Sequence, residues 1–494
     1  MASIPFKQLP ANIRVPLFYA ETDNSQANSG QQTQRALIIG QITAAGTAQP
    51  GVPVISQGVA DAAAIGGSGS MLHLMVQAYR RSDNFGELWC LPLADAGGAT
   101  AAAGTVTFTA AATANGTFTL YVGGVAVAMP VVPAQTVAQL ATALAAAINA
   151  TPKLPVTAAA AAGVVTITAI NKGPCGNDID LRLNYLGTRG GEATPAGLAA
   201  AIVQMTGGAT APNLAAALAN LGDMSFDFIA CPYTDATSLA AIGSLLNDST
   251  GRWSWSSQLY GHAFAAARGT LGTLTTLGLT RNDQHVSIMG FNDSPTPAWL
   301  WAASLTGAVA TSVRADPALP MQTVRLEGVL APPLASRFQL TDRNVLLYDG
   351  ISTFTAGDDG SVAIDNLITT YQKNGAGAPD DSYLQVETLF TLAYVLRALK
   401  SVVTSKYSRV KLADNGTRVA GPGNVVTPNM IRADLIATYR TLEANGLVQN
   451  GDAFRDGLIV QKNTTNPNRV DVLWPGTLIN QLRIFALLAQ FRLQ

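Results

Sequence analysis

Charge is what this sequence has least of. Asp, Glu, Lys and Arg together make up 12% of its 494 residues, against roughly 25% in an average globular chain. The 30 basic and 31 acidic residues leave a formal net charge of -1. That excludes the electrostatic footprint of a nucleic-acid or anionic-membrane binder. Cysteine is nearly absent. Cys90, Cys175 and Cys231 are odd in number and far apart, which excludes a disulfide framework and a zinc-binding spacing. They read as buried thiols packing as small hydrophobes. No apolar run reaches the roughly 18 residues of a membrane-spanning helix, and the first residues lack the basic start and apolar core of a secretory leader. Histidine is limited to His73, His262 and His285.

Signatures of small-molecule chemistry are missing as well. There is no P-loop, no Gly-x-Gly-x-x-Gly before a helix, no His-Glu-x-x-His and no calcium loop. Gly66-Gly-Ser-Gly-Ser70 approaches a nucleophile elbow but ends in Ser where Gly is needed, so Ser68 reads as part of a loop before a helix. Asp358-Asp-Gly360 reads as an acidic turn before a strand rather than a metal loop. No catalytic residue, cofactor or metal ligand is assigned. An α/β hydrolase or protease-like enzyme stays as the alternative class, separable by sedimentation: a hydrolase forms a small defined oligomer.

What is present is apolar sequence in an unusual place. Hydrophobic residues make up 48% of the chain, and they fill its last stretch, Leu478–Gln494. A terminus is normally polar and frayed unless something ties it down. Read as a strand, this one points Leu482, Ile484, Ala486 and Leu488 one way and Phe485, Leu487, Ala489 and Phe491 the other. Both faces then need cover. A helix is also compatible with so short a run. Either way the segment docks, on its own chain or on a neighbour. Scarce charge is consistent with surfaces buried in a large assembly, and equally with an exterior of small Ala and Gly.

By length the chain holds about three domains. Ile13–Val15 and Leu17–Tyr19 read as extended pieces of an N-terminal arm (1–25), with a polar joint over Gln26–Gln34. Strands at Ala36–Ile39, Leu88–Leu91, Phe226–Cys231 and Val286–Met289 alternate with helices at Gly69–Arg81, Ser238–Asn247 and Pro297–Ser312, the pattern of an α/β domain (26–97 and 208–342). The interruption 98–207 is rich in Ala, Thr and Gly and reads as a β-rich α+β surface insertion. Its signals are alternating strands, a Gly123-Gly124 hairpin turn and a capping box at Thr136–Gln139. It is expected to be self-contained, so that the rest of the chain tolerates its deletion. An α+β C-terminal domain (343–477) has a second capping box at Ser382–Gln385 and a Thr427-Pro428 helix start. Gly446 caps the following helix, and Leu458–Lys462 and Arg469–Trp474 are strands in one small sheet. Residues 478–494 form the C-terminal docking strand.

The segments Arg343–Phe354, Asp358–Ile364, Ile368–Gln372, Asp381–Val386, Lys411–Arg418, Val426–Pro428 and Asn466–Pro475 lead into Leu478–Phe485. Together they resemble the tail sheath proteins of contractile-tailed bacteriophages, the Mu-like group in particular. The opening, with Ile4-Pro-Phe6, Ile13–Pro16 and Asp23–Ser25, is similar to the start of the same family. The resemblance spans the chain and is weakest over Gly98–Gly207. It implies a multidomain fold with a subtilisin-like but non-catalytic α/β domain, since Gly261-His-Ala263 lacks the Thr that follows His in that protease motif. It implies a homo-oligomer of hexameric rings stacked helically around a tail tube protein, with baseplate and tail terminator proteins as further partners. No cofactor, nucleic acid or membrane insertion is implied. The location implied is the virion tail, or a tail-derived bacteriocin, after assembly in the host cytoplasm. On this reading Ile13, Val15 and Leu17 of one arm and Leu482, Ile484, Phe485, Leu487 and Phe491 of the other dock onto neighbouring subunits.

Overall fold

The computed structural model describes residues 34–418 and 424–493; the expected N-terminal arm and nearly all of its joint lie outside these. The described residues divide into two compact units. One comprises Gln34–Tyr394, Leu442–Asn450 and the stretch from Gly476 onward; the other comprises Val395–Thr441 and Gly451–Pro475.

The larger unit is organised by a six-stranded sheet. Its order is Val286–Phe291, His262–Arg268, Phe228–Ala230, Ala36–Gln41, Leu88–Leu93 and Val54–Ser56. The first five strands are parallel and the last is an antiparallel edge. Side chains alternate across a strand, and here both directions are buried. Ala36 and Ile38 enter one apolar cluster, with Phe228, Phe264 and the helix Ala298–Ala315. Leu37 and Ile39 enter the other, with Ile229, Ala265 and Leu239 and Ile242 of the helix Ala236–Leu246. A parallel sheet covered on both faces requires such continuous apolar runs.

The insertion folds as expected from its local signals. Gly123 and Gly124 take φ of 57° and 85° in the tight turn joining Gly116–Val122 to Val125–Val131. Thr136 accepts from the Gln139 N–H at 3.3 Å while the Gln139 side chain returns to the Thr136 N–H at 2.9 Å, opening the helix Val137–Ala150. The insertion is not self-contained, however. Val106, Phe108, Phe118, Leu144 and Ile167 belong to the same apolar cluster as Ala36 and Phe264. Asp178 pairs with Arg268 on a central strand and accepts from the Ala298 N–H at the start of the long helix. Arg182 pairs with Asp293 at 2.6 Å.

Two expectations are corrected. The α/β sheet forms, but it is not subtilisin-like. Alternating strands and helices are a pattern many α/β folds share, and among the described residues no protease-like convergence of Asp, His and Ser supports the likeness. Here His262 is sealed between neighbouring strands, its Nε2 2.8 Å from Ser287 Oγ, and its Nδ1 has no partner. Nor does Ser382 open a helix: Asp380 takes both its N–H and its hydroxyl at 3.0 Å, and the helix Val386–Tyr407 begins four residues later.

In the smaller unit, Tyr439 stacks on Phe454 at 3.8 Å between ring centres, with Trp474 against both. The Thr427 hydroxyl caps the helix Pro428–Ala444 through the Met430 N–H at 3.4 Å. In place of one small sheet, strands pair two by two, Lys411–Leu412 with Val425–Val426 and Ile459–Lys462 with Val470–Leu473.

Deleting 98–207 removes Asp178 and much of a shared core, so we expect loss of soluble subunit rather than continued polymerisation. Asp178→Ala alone strands the Arg268 guanidinium and should destabilise by about 3 kcal/mol. The soluble fraction and urea unfolding of the two variants check this.

Candidate functional site

In open α/β sheets, ligands bind beyond the strand carboxyl ends where the winding reverses. That point lies between Ala36–Gln41 and Phe228–Ala230, and the protein's own residues fill it. Gln41 is fully buried; its Nε2 donates to Asp95 Oδ1 at 2.6 Å and to the Lys172 carbonyl at 2.7 Å, and its Oε1 accepts from the Tyr233 hydroxyl at 3.2 Å. The space left, lined by Met71, Cys175 and Trp299 among others, is about 10 Å³, at the limit for one water. An adjoining open cleft of about 470 Å³ is lined by Ile42, Thr43, Ala48, Pro50 and Ile170, with Asp95 as its one charged group. Asp95 is already engaged by Gln41, Asn171 and the Lys172 N–H.

The histidines hold the parts of a triad on different rings. His262 faces Ser287, whereas it is His285 that meets a carboxylate, Asp248 Oδ1 at 2.7 Å, while stacking on Trp253 at 4.3 Å. Burial pushes the His262 imidazole well below its usual range, reinforced by the nearby His285. Burial also lowers His73, with Lys153 adding to it; His73 Nδ1 accepts from the Gly69 N–H at 3.1 Å. In the glycine loop, Ser70 caps the helix Met71–Tyr79 by accepting from the His73 N–H at 3.2 Å, and Ser68 is exposed. Asp359 accepts from the Ser361 N–H at 3.0 Å in a turn between the strands Thr353–Ala356 and Val362–Asn366. The three thiols are free; burial pushes Cys90 and Cys231 up to about 12 and raises Cys175. Among the described residues no cluster of His, Cys, Asp and Glu is placed to hold a metal, and no helix is long and apolar enough to cross a membrane.

The terminal segment has a different character. Thr477–Leu478 pairs antiparallel with Val448–Gln449, and the Ile479 N–H reaches the Leu447 carbonyl at 3.1 Å. From there the chain runs without helix or ladder partner among the described residues. Leu482, Ile484, Phe485, Leu487, Leu488, Phe491 and Leu493 are between 69% and 89% exposed. One side chain turns inward: Arg483 Nη2 lies 2.5 Å from Oε2 of the fully buried Glu387. Ile13, Val15 and Leu17 lie outside the described residues. Gln34, the first described residue, is held through its carbonyl by Arg314 Nε and Nη2 at 3.2 and 2.9 Å, and Arg314 pairs with Asp83 at 2.5 Å. Burial opposes ionisation of Asp83, but hydrogen bonds from Tyr79 and Arg314 hold its carboxyl below the ordinary value. Sequence reasoning misses Glu387 and treats Arg483 only as a break in an apolar run. A cation set among Leu482, Ile484 and Phe485 is itself the available signal.

The profile of the phage tail sheath protein central domain matches residues 207–370, and that of the phage tail sheath C-terminal domain matches 378–492. The Mu-like prophage FluMu tail sheath protein of Haemophilus influenzae is 40% identical over 492 residues, covering 99% of each chain. Among solved structures, a sheath tail protein from Desulfitobacterium hafniense aligns at a TM-score of 0.49 and 13% identity, over 95% of this chain and 97% of that one. The helical sheath of the anti-feeding prophage in its contracted state aligns at 0.46 and 12%, over 98% and 100%. The relative at 40% identity and the two sheath profiles make the fold a multidomain α/β plus α+β sheath fold, not that of a subtilisin-like protease.

His262 and His73 carry a pH prediction. Their folded pKa values lie below the unfolded value of about 6.5, so below that pH the unfolded chain binds protons the native one refuses. Stability should be intact above about pH 6.5 and fall on acidification, by up to about 1.4 kcal/mol per pH unit for each histidine. The urea midpoint of the parent should drop between pH 7.5 and 5.0, and by less in His262→Gln.

Proposed function

Since this chain belongs to the phage tail sheath family, we propose that its exposed C-terminal segment is the arm by which one subunit holds the next. The protein is a structural subunit of a virion's contractile tail, not an enzyme; it polymerises helically with its own copies around a tail tube and contracts. Further, we propose hexameric rings as the repeating layer. The tube, baseplate and terminator proteins are its other partners, and contraction drives the tube through the host envelope. The energy resides in the lattice, so no cofactor enters the cycle.

One observation carries the arm. Beyond Arg483 every described residue is exposed and the backbone has no ladder partner, although most of the side chains are apolar. Apolar patches of this kind mark interaction sites. Burying a Leu, Ile or Phe side chain contributes about 1.5–3 kcal/mol, and each ladder hydrogen bond about 0.5–1.5 kcal/mol net. An extended segment meets both needs by adding a strand to a neighbour's sheet edge. Ile484, Leu488 and Leu482 then face one side, and Phe485, Leu487 and Phe491 the other. Ile13, Val15 and Leu17 are proposed to dock likewise, and the two arms of each subunit would link the assembly into a mesh.

Removing residues 480–494 should leave soluble subunits or short rings, and Leu487→Pro should do the same by deleting a donor mid-strand. Negative-stain microscopy decides: contractile sheaths of normal length from either variant sink the proposal.

A further inference from the structure

We infer that Arg483 and Glu387 form the fixed root of the C-terminal arm, the point at which a tethered stretch becomes a free reach. This rests on the reading of that segment as an arm. Besides the Ile479 N–H to Leu447 carbonyl bond and the Gln449 Nε2 donating to the Leu478 carbonyl at 3.0 Å, four contacts hold the chain before residue 484. Two are the paired residues Val448–Leu478 and Gln449–Thr477, a ladder too short to hold alone. The third is Gln322 Nε2 donating to the Leu482 carbonyl at 3.3 Å. The fourth is the ion pair. Partial cover ends there: Gln481 and the Arg483 side chain (16% exposed) are the last partly covered groups, on either side of an exposed Leu482, and every described residue from Ile484 onward is exposed.

The chemistry makes this contact hard to release. Glu387 lies in the first turn of the helix Val386–Tyr407, where the helix end favours negative charge. Its Oε1 accepts from the Met321 N–H at 2.8 Å, and Oε2 faces Arg483 Nη2 as a close charge pair without hydrogen-bond alignment. Withdrawing Arg483 would leave a buried carboxylate uncompensated, a strongly unfavourable state. No described residue beyond Arg483 has any such contact to lose. Pulling on the arm therefore loads the ion pair before it reaches the two-residue ladder.

A fixed root also sets the reach. Ten residues from 484 to 493 span at most about 33 Å, whereas freeing the chain back to 479 gives about 50 Å. The longer tether dilutes the arm about two-fold at its target. Arg483 is thus a positioning residue for assembly, and the binding residues are those that follow it.

The test uses the full chain with Cys175→Ala, spin-labelled at Gln481→Cys or at Leu487→Cys. Glu387→Leu combined with Arg483→Met replaces the buried pair with apolar groups, an exchange that commonly preserves folding; Arg483→Lys keeps the charge. In the unassembled parent the label at 481 should be restricted and that at 487 mobile. In the double variant both should be mobile while thermal unfolding is little changed, and the critical concentration for polymerisation should rise two-fold or more. Arg483→Lys should fall between. A label at 481 that is already mobile in the parent, or still restricted in the double variant, overturns the root. So does a mobile label with an unchanged critical concentration. The arm reading fails separately, if chains lacking 484–494 polymerise normally whatever the label reports.

Discussion

An extended segment that is apolar on both faces cannot be satisfied by the surface of one body. It can lay one face down, but the other face and the unpaired backbone groups stay in water. Much else about this chain follows from that constraint. The terminal residues are exposed as a set because the subunit offers them no groove. The single inward side chain is a charged one because an apolar side chain could not both anchor the chain and leave its neighbours free. Under the proposed docking, a subunit that completes itself only on a second copy has its association written into its covalent structure.

The winding reversal of the body's sheet, by contrast, is filled from within. At the point where an α/β sheet ordinarily opens to a substrate, Gln41 spends its side chain on Asp95, Lys172 and Tyr233. Nearby, Asp178 bridges the insertion to Arg268 and to the start of the Ala298–Ala315 helix. Burial raises the Asp178 carboxyl while Arg268 pulls it back. These polar links make the sheet and the insertion one mechanical piece. Rigidity, rather than an accessible crevice, is what the same architecture provides here.

Local signals in the sequence are legible because their physics is local. The glycine pair at 123–124, the Thr136 box and the doubly buried runs at Ala36–Ile39 and Val286–Met289 can be read without knowing what packs on them. His262–Arg268 escapes because its strand is mostly Ala, a residue that suits strands poorly. The Ser382 box misleads because Asp380, two residues away, competes for the same groups. The dependence of the insertion on the body is invisible in composition, since Asp178 and Arg268 meet only through the fold. The exposed arm is legible as a two-faced apolar terminus. Its root is not, because Glu387 reads as an ordinary first-turn acid of a helix until Arg483 is seen beside it.

Arg314 fixes Gln34 against Asp83 near one end of the chain, and Arg483 meets Glu387 near the other. Both holds belong to the same compact unit. On the proposal that both ends dock on neighbours, the compact unit carrying both holds is a node whose two strings leave from constant points. Such a net conserves its connectivity while its pitch and diameter vary, because every change of shape is confined to the strings. Symmetry can switch from one lattice to another without a single knot being untied, and a rearrangement begun at one edge has no choice but to be handed on to the next row.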